Sequence, residues 1–246
     1  MIMKFKNIFS NSKPVIGMIH TYSDSQMSVL EMARQEIEIY LRYGIHPLVE
    51  NYFGSEYDCA EVLEWLHSVH PDAIYGVNIL GDYSRAFELA HKYGAKFIQI
   101  DSVCGHMKPE SEPYFLQKLN EYRSKCAVAV LGGVRFKYQN VLSGRSVKED
   151  LILGMERCDA IVCTGSGTGV ETPIEKIDDF KATVGDFPVI VGAGVTLSSA
   201  AETMRRCDGM IVGSWFKYNH NAYNRINEQY VCEFMEAIRK YRNSAF

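Results

Sequence analysis

Short runs of Val, Ile, Leu and Met, each ending in glycine or a polar residue, alternate along this chain with longer stretches whose apolar residues recur every three to four positions. The first kind is the signature of a parallel strand buried on both faces, the second of an amphipathic helix. Pro14 to His20 (PVIGMIH) is the first run. A helix is expected from Ser25, with Val29, Met32, Ala33, Ile37, Tyr40 and Leu41 on one face, and Gly44 closes it. His46 to Glu50 is the second strand, with Asn51 to Ser55 as its outgoing loop, and a helix follows from about Cys59 to Val69. The pattern continues with a strand at Ala73 to Leu80, a helix at Ser84 to Tyr93 closed by Gly94, and a strand at Lys96 to Asp101. Next come a helix near Tyr114 to Arg123, a strand within Ala127 to Phe136, a helix near Val147 to Arg157, a strand at Ala160 to Cys163 and a helix near Ile174 to Val184.

Two further runs, Pro188 to Gly194 (PVIVGAG) and Asp208 to Ser214 (DGMIVGS), are separated only by a short linker, and a terminal helix is expected from about Asn221 to Tyr241, covering the last strand. Strict alternation of strand and helix predicts a parallel sheet. Eight such units in 246 residues predict an α/β fold, a single (β/α)8 TIM barrel forming one domain over residues 1–246, in preference to an open doubly wound sheet, because no dinucleotide fingerprint follows the first strand. In such a barrel the turns after the last two strands form a phosphate site, where glycine lets backbone N–H groups approach the anion. Gly165, Gly167, Gly192, Gly194 and Gly213, joined by the Ser214 hydroxyl and by Gly169, are therefore the expected phosphate cup. Tight turns alone are the competing explanation for any one pair of them.

Composition narrows the function classes. The chain is 47% hydrophobic and 23% charged, which suits a packed globular domain. Its formal net charge of -4, without a basic run, argues against a nucleic-acid partner. No apolar stretch reaches the ~20 residues of a membrane span and the first residues carry no signal-peptide pattern, so a cytoplasmic protein without integral membrane association is expected. The seven cysteines, at 59, 104, 126, 158, 163, 207 and 232, show no C-x-x-C pair and are expected as reduced thiols, with Cys104 placed in a loop at the active face. No cofactor is predicted, and the sequence holds no zinc motif.

Polar residues that end the apolar runs converge on one face of a barrel. Glu50 and Asp101 end strands, where a lone carboxylate is costly to bury, so they are candidates for general acid and base, or for holding a divalent cation such as Mg2+. A structural ion pair with Lys137 or Arg135 is the alternative for each. Lys137, just past the fifth strand, is the third candidate, as proton donor, Schiff-base nucleophile or phosphate partner. His20, Asn51, Asn78 and Thr164 are candidates for holding substrate; since neighbours on a strand point to opposite sides, only one of Glu50 and Asn51 is expected to face the axis. His20 and His106 could titrate near neutral pH or serve as hydrogen-bonded structural residues.

The motifs KPVIGMIH at Lys13 to His20, VENYFG at Val49 to Gly54, GVNIL at Gly76 to Leu80, VCTGSGTG at Val162 to Gly169, PVIVGAGVT at Pro188 to Thr196 and DGMIVGSWFK at Asp208 to Lys217 resemble the BtpA/SgcQ family across nearly the whole chain. The resemblance implies a phosphate-binding TIM barrel of the ribulose-phosphate-binding type. The chain departs from the family's pattern in TYSDSQ (Thr21 to Gln26), where a proline-rich loop is usual, in SVCGHMKPESEP (Ser102 to Pro113), and in Lys137-Tyr138, where a lysine-histidine pair is usual. The phosphate end is thus kept and the opposite end changed. The expected function is an enzyme on a phosphorylated sugar or nucleotide-like compound, of lyase, isomerase, epimerase or glycosidic-bond-cleaving type. The alternative is a non-catalytic assembly or regulatory factor that senses such a ligand. A homo-oligomer is compatible with the apolar face of the terminal helix.

Overall fold

The computed structural model describes residues 5–9, 13–23 and 26–244. A short helix, α1 (Phe5–Ile8), precedes eight parallel strands: β1 (Val15–His20), β2 (His46–Glu50), β3 (Gly76–Asn78), β4 (Phe97–Cys104), β5 (Ala129–Val134), β6 (Ala160–Cys163), β7 (Val189–Val191) and β8 (Gly209–Val212). They pair in sequence order, and β8 returns to β1, so the sheet closes into a barrel without an edge. Each strand is followed by its helix: α2 (Val29–Arg42), α3 (Glu56–Val69), α4 (Tyr83–Tyr93), α5 (Glu112–Lys125), α6 (Val147–Arg157), α7 (Ile174–Val184), α8 (Ala200–Arg206) and α9 (Glu228–Ser244). This is the expected (β/α)8 barrel. Among the described residues no helix is long and apolar enough to cross a membrane.

Local chemistry starts the helices where the strands release the chain. Ser28, Ser55 and Ser146 each accept from the backbone N–H three residues on, while Glu31, Asp58 and Glu149 reach back to the cap, completing three capping boxes. Two apolar cores result. One lies between sheet and helices; the other fills the barrel interior with Ile16, Met18, Leu48, Phe97, Leu131, Val162, Ile190 and Ile211. Gly17 is required between β1 and α2, because a Cβ there would stand 2.3 Å from the Tyr40 ring, whose hydroxyl donates to the Met18 carbonyl at 3.2 Å.

Several elements differ from the sequence expectation. The N-terminal lead holds α1, and the Phe9 ring just beyond it lies 5.1 Å from His46 and 5.7 Å from Phe97, the first residues of β2 and β4. It therefore closes the bottom of the barrel. The linker before β8 contains α8, whose seven residues are too few to display a helical period. The helix expected from Ser25 begins at Val29 behind its cap Ser28; Ser25 itself lies outside the described residues. The terminal helix starts at Glu228, not Asn221, since the asparagine-rich segment before it favours turns, and Lys217 bridges to Ile226. Tyr223 and Ile226 accordingly stand outside α9. β3 is shorter than Ala73 to Leu80, and β4 runs past Asp101 to Cys104. Cys104 is therefore a strand residue, not a loop residue at the active face. It is buried, with Sγ 3.6 Å from Asp150, and burial raises its thiol pKa.

Candidate active site

The period of two along each strand builds the site. Two residues beyond the last interior residue of each strand come His20 on β1, Glu50 on β2, Gln99 and then Asp101 on β4, Gly133 on β5, and, just past their strands, Thr164, Gly192 and Gly213. On β3 the equivalent is Asn78, which the strand register sets beside Glu50, as it sets Glu50 beside His20. The top layer of the barrel is thus polar over β1 to β4 and small over β5 to β8. The small half leaves room, and a cleft of about 330 Å³ opens over this layer.

One amide joins the two carboxylates. Asn78 Nδ2 donates to Glu50 Oε2 at 2.6 Å and to Asp101 Oδ1 at 3.0 Å, and Gln99 Nε2 donates to the same Asp101 oxygen at 3.0 Å. Asp101 thereby receives two donors on one oxygen. Glu50 is buried, and burial, followed by repulsion from Asp101, pushes its pKa up to about 8; the Asn78 bond and Lys137 work the other way. Near neutral pH Glu50 holds a proton. His20 lies with Nε2 3.6 Å from Glu50 Oε1 and is pushed down to about 3 by burial, then by Lys217. This contact therefore joins two neutral groups at neutral pH and is not an ion pair.

Lys137 lines the same cleft, and its position is held at three points. Its N–H donates to Thr164 Oγ1 at 2.9 Å, its Nζ donates to Thr168 Oγ1 at 3.3 Å, and the next residue, Tyr138, accepts from the Thr168 N–H at 2.7 Å. Among the described residues neither Glu50 nor Asp101 makes an ion pair with Lys137 or Arg135; Arg135 is bound to Asp150 instead, at 2.8 Å.

Of the residues read from sequence, His20, Glu50, Asp101, Lys137, Gly192, Gly194, Gly213 and Ser214 line the cleft together. Asn78 lies behind the two carboxylates. Asn51 points away from the axis and accepts from the Leu80 N–H at 2.8 Å, so it braces a loop. Thr164 sits below the cleft as an anchor for Lys137 and, through its carbonyl, for Lys176 at 2.6 Å. Gly165 and Gly167 do not line it: a Cβ on Gly165 would meet the Glu171 carbonyl at 2.7 Å and one on Gly167 the Tyr138 hydroxyl at 3.1 Å, so both shape the loop after β6. Gly194 has φ +70°, and a Cβ there would stand 2.2 Å from the Val170 carbonyl oxygen, which locks the loops after β6 and β7 together. The Gly192 N–H is already given to the Cys163 carbonyl at 2.8 Å, whereas Gly194 N–H has no acceptor among the described residues. Tyr52, Gln99, Phe136, Tyr138 and Gln139 also line the cleft and were not anticipated. Of these only Gln99 had a signal, two residues before Asp101 on the same face. Among the described residues no three His, Cys, Asp or Glu side chains are grouped to hold a metal ion; a cation would rest on Glu50 and Asp101 alone and would have to displace the Glu50 proton.

Comparisons with known proteins agree with this architecture. An uncharacterised protein of Methanocaldococcus jannaschii is 29% identical over 242 residues, covering 87% of this chain and 91% of its own. The sgc region protein SgcQ of Escherichia coli (strain K12) is 23% identical over 273 residues, covering 96% and 98%. Among solved structures, the native KDPGal structure superposes with a TM-score of 0.64 at 14% identity, covering 94% of this chain and 96% of that one. Phosphoribosyl anthranilate isomerase from Thermococcus kodakaraensis gives 0.60 at 17%, covering 92% and 99%. At these identities the structures show the fold alone. The family model for BtpA matches residues 11–240, and the chain belongs to the BtpA family.

Proposed function

We propose that this protein is an enzyme acting on a phosphorylated sugar or nucleotide-like compound by acid–base chemistry, of lyase or isomerase type. The observation that carries this reading is a pair of carboxyl groups held on one amide at the cleft, one of which, Glu50, keeps its proton near neutral pH. A carboxyl kept protonated by burial is suited to the role of general acid, which leaves the role of base to its neighbour Asp101 in this proposal. The phosphate would lie in the small half of the barrel mouth, against the backbone of Gly194, Gly213 and Ser214, with Lys137 as the cation beside it. Anchored there, the substrate would present a carbon to the polar half. Asp101 takes the proton from a carbon next to a carbonyl, that bond's electron pair moves into the carbon framework, and Glu50 passes its proton to the carbonyl oxygen. Return of the proton from Asp101 to the former carbonyl carbon, with Glu50 taking back a proton from the neighbouring hydroxyl as that oxygen becomes the new carbonyl, completes an isomerisation; expulsion of a leaving group from the β carbon, with Asp101 giving its proton to that group and Glu50 taking its own back as the original carbonyl re-forms, completes a lyase reaction.

The fold neighbours include phosphoribosyl anthranilate isomerase, which supports the reading without naming a substrate. A non-catalytic sensor would need neither a protonated Glu50 nor carboxylates free of ion pairs. A thermal-shift panel of phosphorylated sugars and nucleoside monophosphates, with and without Mg2+, tests the binding half of the proposal, because a ligand of the native state raises its melting temperature. A hit that is converted by the protein, and no longer converted by Glu50→Gln or Asp101→Asn, supports the catalytic half. Binding without turnover in any assay would favour the sensor.

A further inference from the structure

A second cavity, of about 290 Å³, opens beside the cleft, over the tops of β3 and β4. The two share Gly81, Asp101 and Gln139, so Asp101 stands in the wall between them. Its size is at the small end of ligand pockets, enough for one ring system. β4 changes register against β5 between Ile100 and Cys104. Irregularities of this kind re-aim side chains beside active sites, and Ser102, within the shifted stretch, lines the lobe.

The rest of its lining combines aromatic and aliphatic walls with polar groups and two acids. Tyr83 and Phe115 meet edge to face at 5.4 Å, and the His106 ring stands edge-on to Phe115 at 5.9 Å. His106 Nδ1 is buried and has no hydrogen-bond partner among the described residues. Buried polar atoms in native proteins are nearly always satisfied, so this unpartnered Nδ1, on a ring that lines the lobe, is free to pair with a ligand atom once the ring turns toward it. The imidazole is kept neutral by burial, reinforced by Arg157, while Glu112 pulls the other way. A neutral ring can offer Nδ1 as donor or acceptor. The charged residues of the lining are both acids, Asp82 and Asp101, and Asp82 is already committed to the Ser84 hydroxyl and the Arg85 N–H at the start of α4. With no Lys or Arg in its lining, the lobe disfavours a second anion.

Resting on the reading of the small half as the phosphate site, we propose that this lobe holds the far end of the same substrate, and that this end is a nitrogen heterocycle. Flat apolar walls accept the ring faces, and the Ser102 hydroxyl and, after a turn of its ring, His106 Nδ1 meet its polar edge. The reacting carbon then lies between ring and phosphate, beside Asp101. The substrate class is a ribosyl-type phosphate bearing a base, in preference to a plain sugar phosphate.

Titration calorimetry on the full chain separates the two ends. Ribose 5-phosphate reads the phosphate site alone, the common nucleosides read the lobe alone, and their 5′-monophosphates read both. At least one monophosphate is expected to bind about ten-fold or more tighter than ribose 5-phosphate, the margin expected of base–aromatic stacking. His106→Ala and, as a milder second variant, Ser102→Ala should each reduce that margin while leaving ribose 5-phosphate affinity unchanged, with folding checked by circular dichroism. Monophosphates that bind no tighter than ribose 5-phosphate, or a margin that survives both variants, overturn the inference and leave the phosphate site standing. Failure of ribose 5-phosphate to bind removes the phosphate reading instead. The nucleosides then decide the lobe: binding weakened by His106→Ala supports it, and no binding overturns it.

Discussion

Glu50 and Gly194 line the same cleft, and the proposal gives them different roles. A carboxyl whose pKa is raised to about 8 is a competent general acid below that pH and loses the proton above it. Turnover of a substrate found by the binding panel is therefore expected to fall along an alkaline limb near pH 8, and Glu50→Gln should lower kcat by about 10²–10⁴-fold with little change in ligand affinity. Steady-state kinetics against pH checks both. Gly194→Ala should do the reverse, because its left-handed φ and the Val170 oxygen 2.2 Å from the new Cβ force the loops after β6 and β7 apart; affinity for ribose 5-phosphate is expected to drop by about ten-fold or more by calorimetry. Much of this site was legible in the sequence because strand ends in a barrel point to one place: His20, Glu50, Asp101 and Gly213 needed only the apolar runs. Asn51 was on the wrong face by the same alternation. Tyr52, Tyr138 and Gln139 were out of reach, since they lie on loops whose course no periodicity records.

The loop after β5 is the element on which Lys137 depends, and it is a strained one. Arg135 has φ +49° and Tyr138 φ +62°, both in a region that bulky residues avoid. What holds Arg135 there is Asp150 on α6, fully buried, which accepts from Arg135 Nε at 2.8 Å, Arg145 Nε at 2.9 Å and Ser143 Oγ at 3.0 Å. Arg145 and Arg157 in turn share Glu112, at the start of α5. Asp150→Ala would leave two guanidinium groups without their shared carboxylate, and is expected to cost about 3–5 kcal/mol in urea unfolding. At the other end of the barrel, Phe9→Ala should cost a similar amount, about 3–5 kcal/mol, by emptying the closed bottom against His46 and Phe97. Neither device was visible beforehand. Asp150 and the arginines read as ordinary surface charges of a loop and a helix, the Glu112 shared by Arg145 and Arg157 lies 33 residues before Arg145, and a four-residue helix has no period. The strands were visible because a barrel buries both faces of each, whereas α8 and the true start of α9 were set by turn chemistry at Ser199 and in the asparagine-rich segment, not by hydrophobic spacing.

For the molecule as a whole, the polar half of the barrel mouth ties stability to pH through two buried groups of opposite sign. Glu50 binds its proton more tightly in the folded chain, at about 8 against 4.5, so its contribution is fully present below pH 4.5 and is lost as pH rises toward 8. His20 binds its proton less tightly when folded, at about 3 against 6.5, so its contribution is fully present above pH 6.5 and is lost as pH falls toward 3. Between 4.5 and 6.5 the two slopes oppose each other, and outside that interval each acts alone. Glu50→Gln is therefore expected to melt higher than the parent chain by a margin that widens from pH 4.5 to about 8 and then stays constant. His20→Asn should gain on the parent only as pH falls from 6.5 toward 3. For a chain of this size each 1 kcal/mol moves the melting temperature by ~2–4 °C, which calorimetric scans across a pH series resolve. A difference between Glu50→Gln and parent that does not vary with pH would mean that Glu50 ionises in the folded barrel as it does in water. The proton that Glu50 needs as general acid would then be absent near neutral pH, and with it the step on which the proposed chemistry stands.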